Sequence, residues 1–451
     1  MAIESRNPFT NEVVKTFEEE SDEQVLNKIT LAEKTYSDWK QTNFTHRKEL
    51  LLKTAVLLRD RKEQYAGLMT TEMGKAKREA LGEIEKCALA CDYYARNAEK
   101  FLSDEKLEAP EGEAYVVHEP IGIVLAVMPW NFPFWQVFRF LAPNLIAGNV
   151  GLLKHASNVP QCALAIQEVL LDAGFPAGCF QTLLISSAKV NMILDDDRVK
   201  AATLTGSEGA GSKVAERAGK NLKKTVLELG GSDPFIVLKD ADIKEAAKTG
   251  AKARMINNGQ SCIAAKRFIL EKSIADEFLS FFKVEFENIK IGDPANDSFD
   301  YGSMAREDLA QELEEQVNKS LEKGAKIMIG GKRDKAFFEP TILTDVKPGM
   351  PAYEEELFGP VAVVLIAEDE QHAIELANDS RFGLGGSLWS KDIEKAKKLV
   401  RRVESGAVYI NKIMASHPAV PFGGIKMSGY GRELSEMGIK EFVNRKTIWL
   451  S

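Results

Sequence analysis

Apolar and polar positions follow two periods along this chain, and the switch between them marks its organisation. Near the start, Val25, Ile29, Ala32, Tyr36 and Trp39 recur at helical spacing behind a capping box made by Ser21 and Gln24. The N-terminal part is therefore predicted to begin as amphipathic helices. From Glu113 to His118, and again from Ile121 to Met128, the pattern turns β-rich. The second run is almost wholly apolar, as in a central strand covered on both faces. Strand and helix then alternate: Val150 to Lys154, Phe180 to Ile185 and Ala201 to Thr205 read as strands, with helices over Pro160 to Ala173 and Ser187 to Asp195. Alternation of this kind implies crossover units and a parallel, doubly wound sheet with its ligand crevice at the carboxyl ends of the strands.

A second alternating series follows Pro234. Phe235 to Leu238, Phe268 to Leu270, Lys326 to Ile329 and Val361 to Ile366 read as strands, and Ala241 to Met255, Ser273 to Ile289 and Gln371 to Asn378 as helices. The fold class is thus α/β with two doubly wound domains, joined at a Gly-rich hinge, Leu229-Gly230-Gly231-Ser232. Val408 to Asn411 and a β-rich Lys446 to Leu450 close the chain.

With 451 residues, 44% of them hydrophobic, the chain can bury a large core. Its net charge of -8 is spread without a basic block, which argues against nucleic acid as a partner. Five cysteines without paired spacing fit a reducing compartment, and the pair Cys87 and Cys91 lacks the further His or Cys that a metal site needs. The opening Met1 to Asn7 is too polar for a signal peptide. The best apolar run, after Trp130, is broken by Asn131, Gln136, Arg139 and Asn144, so no membrane span is expected. These features describe a cytoplasmic enzyme.

Candidate chemistry centres on Asn257-Asn258-Gly259-Gln260-Ser261-Cys262. Cys262 follows amides and glycine rather than lying in an apolar stripe, and a polar neighbourhood lowers a thiol pKa, so it is the candidate nucleophile. Cys87, Cys91, Cys162 and Cys179 lie in Ala- or Leu-rich contexts and read as small buried hydrophobes. Glu228 is a lone carboxylate in an apolar run, where burial would raise its pKa toward that of a general base. Asn131 ends the apolar strand in Pro129-Trp130-Asn131-Phe132-Pro133 and offers an amide to a developing oxyanion. Strand Ala201 to Thr205 runs into Gly206-Ser207-Glu208-Gly209-Ala210-Gly211 and a helix over Ser212 to Asn221, a Gly-rich helix start that suits a pyrophosphate. Lys154 could reach a ribose or phosphate, whereas Ser157 could simply cap a helix.

PWNFP, LTGS with its following GxxxxG, LELGGSDPF, NNGQSC, EELFGP and PFGGIKMSGYGRE occur in this order between residues 129 and 432. In this the chain resembles the NAD(P)-dependent aldehyde dehydrogenase superfamily, over nearly its whole length. The resemblance implies a dinucleotide-binding domain over 1–106 and 124–228, a catalytic domain over 229–427, and an oligomerisation extension over 107–123 and 428–451 that makes a homodimer or homotetramer. It implies that Cys262 attacks an aldehyde, that Asn131 and the Cys262 N–H hold the oxyanion, and that Glu228 activates the hydrolytic water. Trp130, Lys154, Gly206, Ser207, Gly211, Leu229, Glu356 and Phe358 match cofactor-binding positions.

Where many members read Lys-Pro-Ser-Glu, this chain reads Lys154-His155-Ala156-Ser157. The acidic partner of the NAD 2′-hydroxyl is missing, so NADP is expected to be preferred, with NAD possible. Arg139 and Ser416 match positions that contact the substrate carboxylate in succinate-semialdehyde dehydrogenases, the group it is most similar to. A second arginine common there is Ile256 here, with Lys412 and His417 as candidate substitutes. The expected substrate is a carboxylated semialdehyde, succinate semialdehyde above all. Other aldehydes, uncharged or phosphorylated, a thiol esterase and a non-catalytic crystallin-like protein are the alternatives.

Overall fold

The computed structural model describes residues 3–450. Two sheets carry it. In the six-stranded sheet the order is Gly429–Tyr430, Lys224–Glu228, Val199–Thr205, Ile123–Met128, Val150–His155, Phe180–Thr182, parallel except for the first pair. The apolar run Ile123–Met128 sits inside, as its composition requires. Helices Asp22–Trp39, Phe44–Asp60, Lys62–Met73, Lys77–Phe101, Trp135–Ile146 and Pro160–Ala173 pack around this sheet in one continuous core. The capping box forms at Ser21 and Gln24, and Val25, Ile29, Ala32 and Trp39 are buried.

The seven-stranded sheet runs Lys326–Ile329, Thr341–Thr344, Val361–Ala367, Ala265–Glu271, Asp233–Val237, Ser387–Trp389, Tyr409–Ile410. Its two faces feed separate cores: Ile236 and Ile269 enter one, Phe235, Val237, Phe268 and Leu270 the other, the period-two alternation of strands covered on both sides. Among the described residues no helix is long and apolar enough to cross a membrane.

Four differences from the sequence reading matter. The chain opens not with a helix but with a hairpin, Ile3–Asn7 against Glu12–Phe17. Its alternation escapes notice because one inward position is Ser5, buried and accepting a hydrogen bond from Gln161 at 2.8 Å. The strand read as Phe180 to Ile185 stops at Thr182. The helix Glu307–Glu322 and the strand Thr341–Thr344 were not anticipated. Finally, Leu229 to Ser232 is not a free hinge: all of it is buried, and it crosses directly from strand Lys224–Glu228 to strand Asp233–Val237. Glu228 therefore stands at the carboxyl end of one sheet, where the crevice of an open parallel sheet lies. Ala265–Glu271, the strand that follows Cys262, lies beside Asp233–Val237 in the other sheet.

A third, antiparallel sheet joins Val443–Leu450 to Glu113–Pro120 and Glu105–Leu107, with Val443–Leu450 at its edge.

Candidate active site

The turn before Cys262 is wound left-handed: Asn257, Asn258 and Gly259 have φ of 53°, 58° and 73°. Asparagine tolerates this region, and its amide can compensate by hydrogen bonding. Asn257 donates to the carbonyls of Asn131 at 2.7 Å and Gln260 at 3.0 Å; Asn258 donates to Gly74 at 3.0 Å and Ser303 at 2.9 Å. At Gly259 a Cβ would also lie 2.4 Å from the Gly359 carbonyl, so only glycine fits. The turn thereby fixes Asn131 against the Cys262 loop. The Asn131 amide donates to the Gln260 carbonyl at 3.0 Å, and its oxygen accepts from Gln136 at 3.0 Å, which settles which way the amide points.

Cys262 is half-buried, whereas Cys87, Cys91, Cys162 and Cys179 are buried and pushed up by desolvation. The expectation of a lowered thiol pKa is corrected. Burial pushes Cys262 up to about 12, and the opposing pull of Arg139 and Lys266 is smaller. The cation beneath the loop is Lys266, missed in the sequence. Its ammonium donates to the carbonyls of Ser261 at 2.8 Å and Cys262 at 2.9 Å, and pairs with Glu356 at 3.1 Å. Glu356 also accepts from the Gly231 N–H at 3.1 Å.

Glu228 is 2% exposed and neither carboxylate oxygen has a hydrogen-bond partner. Desolvation first, and the neighbouring Glu433 second, hold its pKa well above the usual carboxylate range, against the pull of Arg139 and Arg432. A buried carboxyl of this kind is costly to ionise, and no hydrogen-bond donor has claimed it.

Arg139 departs from its expected role. It is buried rather than a free cation on an apolar face: its guanidinium forms an ion pair with Glu433, donates to Thr205 at 3.1 Å and stacks on Phe422 at 4.7 Å. Glu433 lies far along the chain, so no helical spacing could disclose it.

At the carboxyl ends of the six-stranded sheet lies a groove of about 860 Å³ lined by Lys154, Leu204, Ser207, Lys213, Val214 and Arg217, among others. The helix here is Glu208–Lys220, starting earlier than read, so Gly209 and Gly211 belong to its first turn rather than to a loop. Ser207 caps it, and the Gly206 N–H donates to the Glu228 carbonyl at 3.0 Å. A Cβ on Gly211 would meet Leu229 at 2.6 Å, so glycine here lets the helix close on the crossing segment. Lys154 is buried and its pKa lowered by desolvation. A capped helix start beside lysines and an arginine fits the phosphates of a dinucleotide. Ser157 does not line this groove. It is exposed and borders a neighbouring hollow of about 690 Å³, and it is not a cap, since Val159 precedes the helix without a side-chain bond. Trp130 meets Phe358 edge to face, ring centroids 5.8 Å apart.

Ser416 is buried and accepts from Lys86 at 2.7 Å and from the Trp135 indole at 3.0 Å. Sequence reasoning missed both donors. The signal for Lys86 was its place on helix Lys77–Phe101, where Glu83 and Ala90, three back and four on, are buried.

Comparison with known proteins agrees with this geometry. The model of the aldehyde dehydrogenase family matches residues 1–448. A probable NADP(+) succinate-semialdehyde dehydrogenase of Synechocystis sp. is 50% identical over 454 residues, covering 100% of both chains. Succinate-semialdehyde dehydrogenase 1, an NADP(+) enzyme of Mycobacterium bovis, is 49% identical over 457 residues and is likewise matched from end to end. The crystal structure of the Streptococcus pyogenes succinic semialdehyde dehydrogenase in complex with NADP+ superposes with a TM-score of 0.98 at 41% identity, covering 100% of each chain. A loop cysteine, an unpartnered buried carboxylate and a phosphate-ready groove thus sit on a matching fold, and the chain belongs to the aldehyde dehydrogenase family.

Proposed function

We propose that this enzyme oxidises a carboxylated semialdehyde, succinate semialdehyde in the first place, to the acid with NADP+. The observation that carries the chemistry is Glu228, a buried carboxylate without any hydrogen-bond partner at the sheet end, three residues before Gly231, which packs against the Cys262 carbonyl. The Cys262 sulfur bonds to the aldehyde carbon as the thiol proton passes to solvent. The Asn131 amide and the Cys262 N–H hold the oxygen as it becomes an anion, and removing such a donor typically lowers the rate about 10²–10³-fold. When bound, the nicotinamide cofactor supplies the acceptor for the hydride. Glu228 then takes a proton from the water that attacks the thioester, freeing the acid and the thiol.

Residues Lys154, Gly206, Ser207, Gly211, Leu229, Trp130, Phe358 and Glu356 would hold the cofactor. The preference for NADP is supported by Lys154, Lys213 and Arg217 around the groove and by the NADP(+) relatives. On this reading residues 1–106 and 124–228 serve the dinucleotide, 229–427 carry the nucleophile, and 107–123 with 428–451 assemble a homodimer or homotetramer. Exposed Trp449 and Leu450 on the edge strand support that last point. Five free thiols support a cytoplasmic setting.

The deciding experiment is a panel of succinate semialdehyde, butanal and a phosphorylated aldehyde, each with NAD and NADP. The highest kcat/KM is expected for succinate semialdehyde with NADP, and none for Cys262→Ser. A strong NAD preference, or equal efficiency on all aldehydes, overturns the corresponding half of the reading.

A further inference from the structure

Lys86 is a cation that the proposed chemistry leaves unused, although it lies on Ser416. Its ammonium lies 4.3 Å from the centre of the Trp135 ring and 2.7 Å from the Ser416 hydroxyl, which also accepts from the Trp135 indole at 3.0 Å. Among the described residues no carboxylate lies within ion-pair distance of it. The obvious candidate on its own helix, Glu83, is engaged elsewhere: it pairs with Lys75 and accepts from the N–H groups of Phe134 and Trp135 at 2.9 Å each. A half-buried ammonium with no counter-ion is an expensive arrangement, unless an anion arrives to complete it.

The cluster is also in the right place. Trp135 opens helix Trp135–Ile146 four residues after Asn131, and Arg139 lies one helical turn further along it. Arg139 lies close enough to act on both Lys86 and Cys262. Burial and the Arg139 charge lower the Lys86 pKa to about 8, which still leaves it mainly charged at neutral pH. Arg139, in contrast, is neutralised by Glu433.

We infer that Lys86, with the Ser416 hydroxyl and the Trp135 indole, is the carboxylate-recognition site of the substrate pocket, taking the role that Arg139 cannot fill while paired. Lys86 supplies the charge, and the two groups around Ser416 fix where the carboxylate oxygens lie. This rests on the substrate class proposed above.

The test compares parent, Lys86→Met and Lys86→Arg on succinate semialdehyde and butanal, with NADP, each variant checked for its thermal midpoint. The ratio of kcat/KM values, semialdehyde over butanal, should fall about 10- to 100-fold in Lys86→Met, mostly through KM, and recover substantially in Lys86→Arg. A folded Lys86→Met that keeps the parental ratio overturns this inference alone. A parent that oxidises both aldehydes equally well overturns the substrate class, and this inference with it.

Discussion

At Cys262 two effects compete over one sulfur, and burial wins. The thiol, pushed up to about 12, is protonated across the physiological range when nothing else is bound. Alkylation by iodoacetamide, followed on the free enzyme, should therefore keep accelerating above pH 9; a plateau below pH 8 would show that Arg139 and Lys266 outweigh desolvation. Glu228 yields a second prediction. As a base it must be ionised, so its raised pKa moves the acid limb of kcat above the ordinary carboxylate range. Glu228→Gln should lower steady-state turnover about 10²–10⁴-fold. The same carboxyl titrates higher folded than unfolded, so ionising it weakens the fold as pH rises from the unfolded value to the folded one. Glu228→Gln should consequently raise the thermal midpoint more at pH 8 than at pH 5, and an equal change at both would contradict the shift. That Glu228 is buried, that Cys262 sits on a polar loop and that Asn131 follows an apolar strand was legible in the sequence, because each breaks the pattern around it. The protonation of Cys262 was not, because burial against the core of the six-stranded sheet is invisible from neighbours in the chain. Nor was the pairing of Arg139 with Glu433.

Among elements, the loop of Asn257 to Gly259 and the helix Lys77–Phe101 show how differently glycines respond. Gly259→Ala places a methyl against the Gly359 carbonyl in a left-handed conformation, so it should destabilise the enzyme and abolish activity together. Gly82, inside the helix with nothing within 4 Å of its missing Cβ, should respond oppositely: Gly82→Ala is expected to add about 0.4–1 kcal/mol in a denaturation series. Should both variants shift stability the same way, backbone geometry is not what separates them. Elements with a clean stripe, such as Asp22–Trp39 and Pro160–Ala173, were readable because burial imposes the stripe. The N-terminal hairpin was not, since strand Glu12–Phe17 is exposed apart from Phe17 and Ser5 takes an inward place.

For the whole molecule, the alternation of strand and helix sufficed to foresee two sheets, because a parallel sheet needs a crossover between strands and the crossover leaves its own period. What it could not foresee was the return of the C-terminal chain, whose Gly429–Tyr430 pairs antiparallel with Leu227 and Glu228. The exposed edge of Val443–Leu450 bears on assembly. Light scattering of the full-length protein is expected to give a dimer or tetramer, and Trp449→Lys with Leu450→Lys to shift it toward monomer; an unaltered oligomer would place the interface elsewhere.

Only four residues separate the carboxylate from the second sheet, and they have no slack. Methyl groups at Gly230 and Gly231 would come within 2.4 Å of the Glu356 carboxylate and 2.7 Å of the Cys262 carbonyl. A wedge that tilts one sheet against the other must therefore drag the Glu228 carboxylate and the Cys262 loop along with it, so the short tether keeps the two in register.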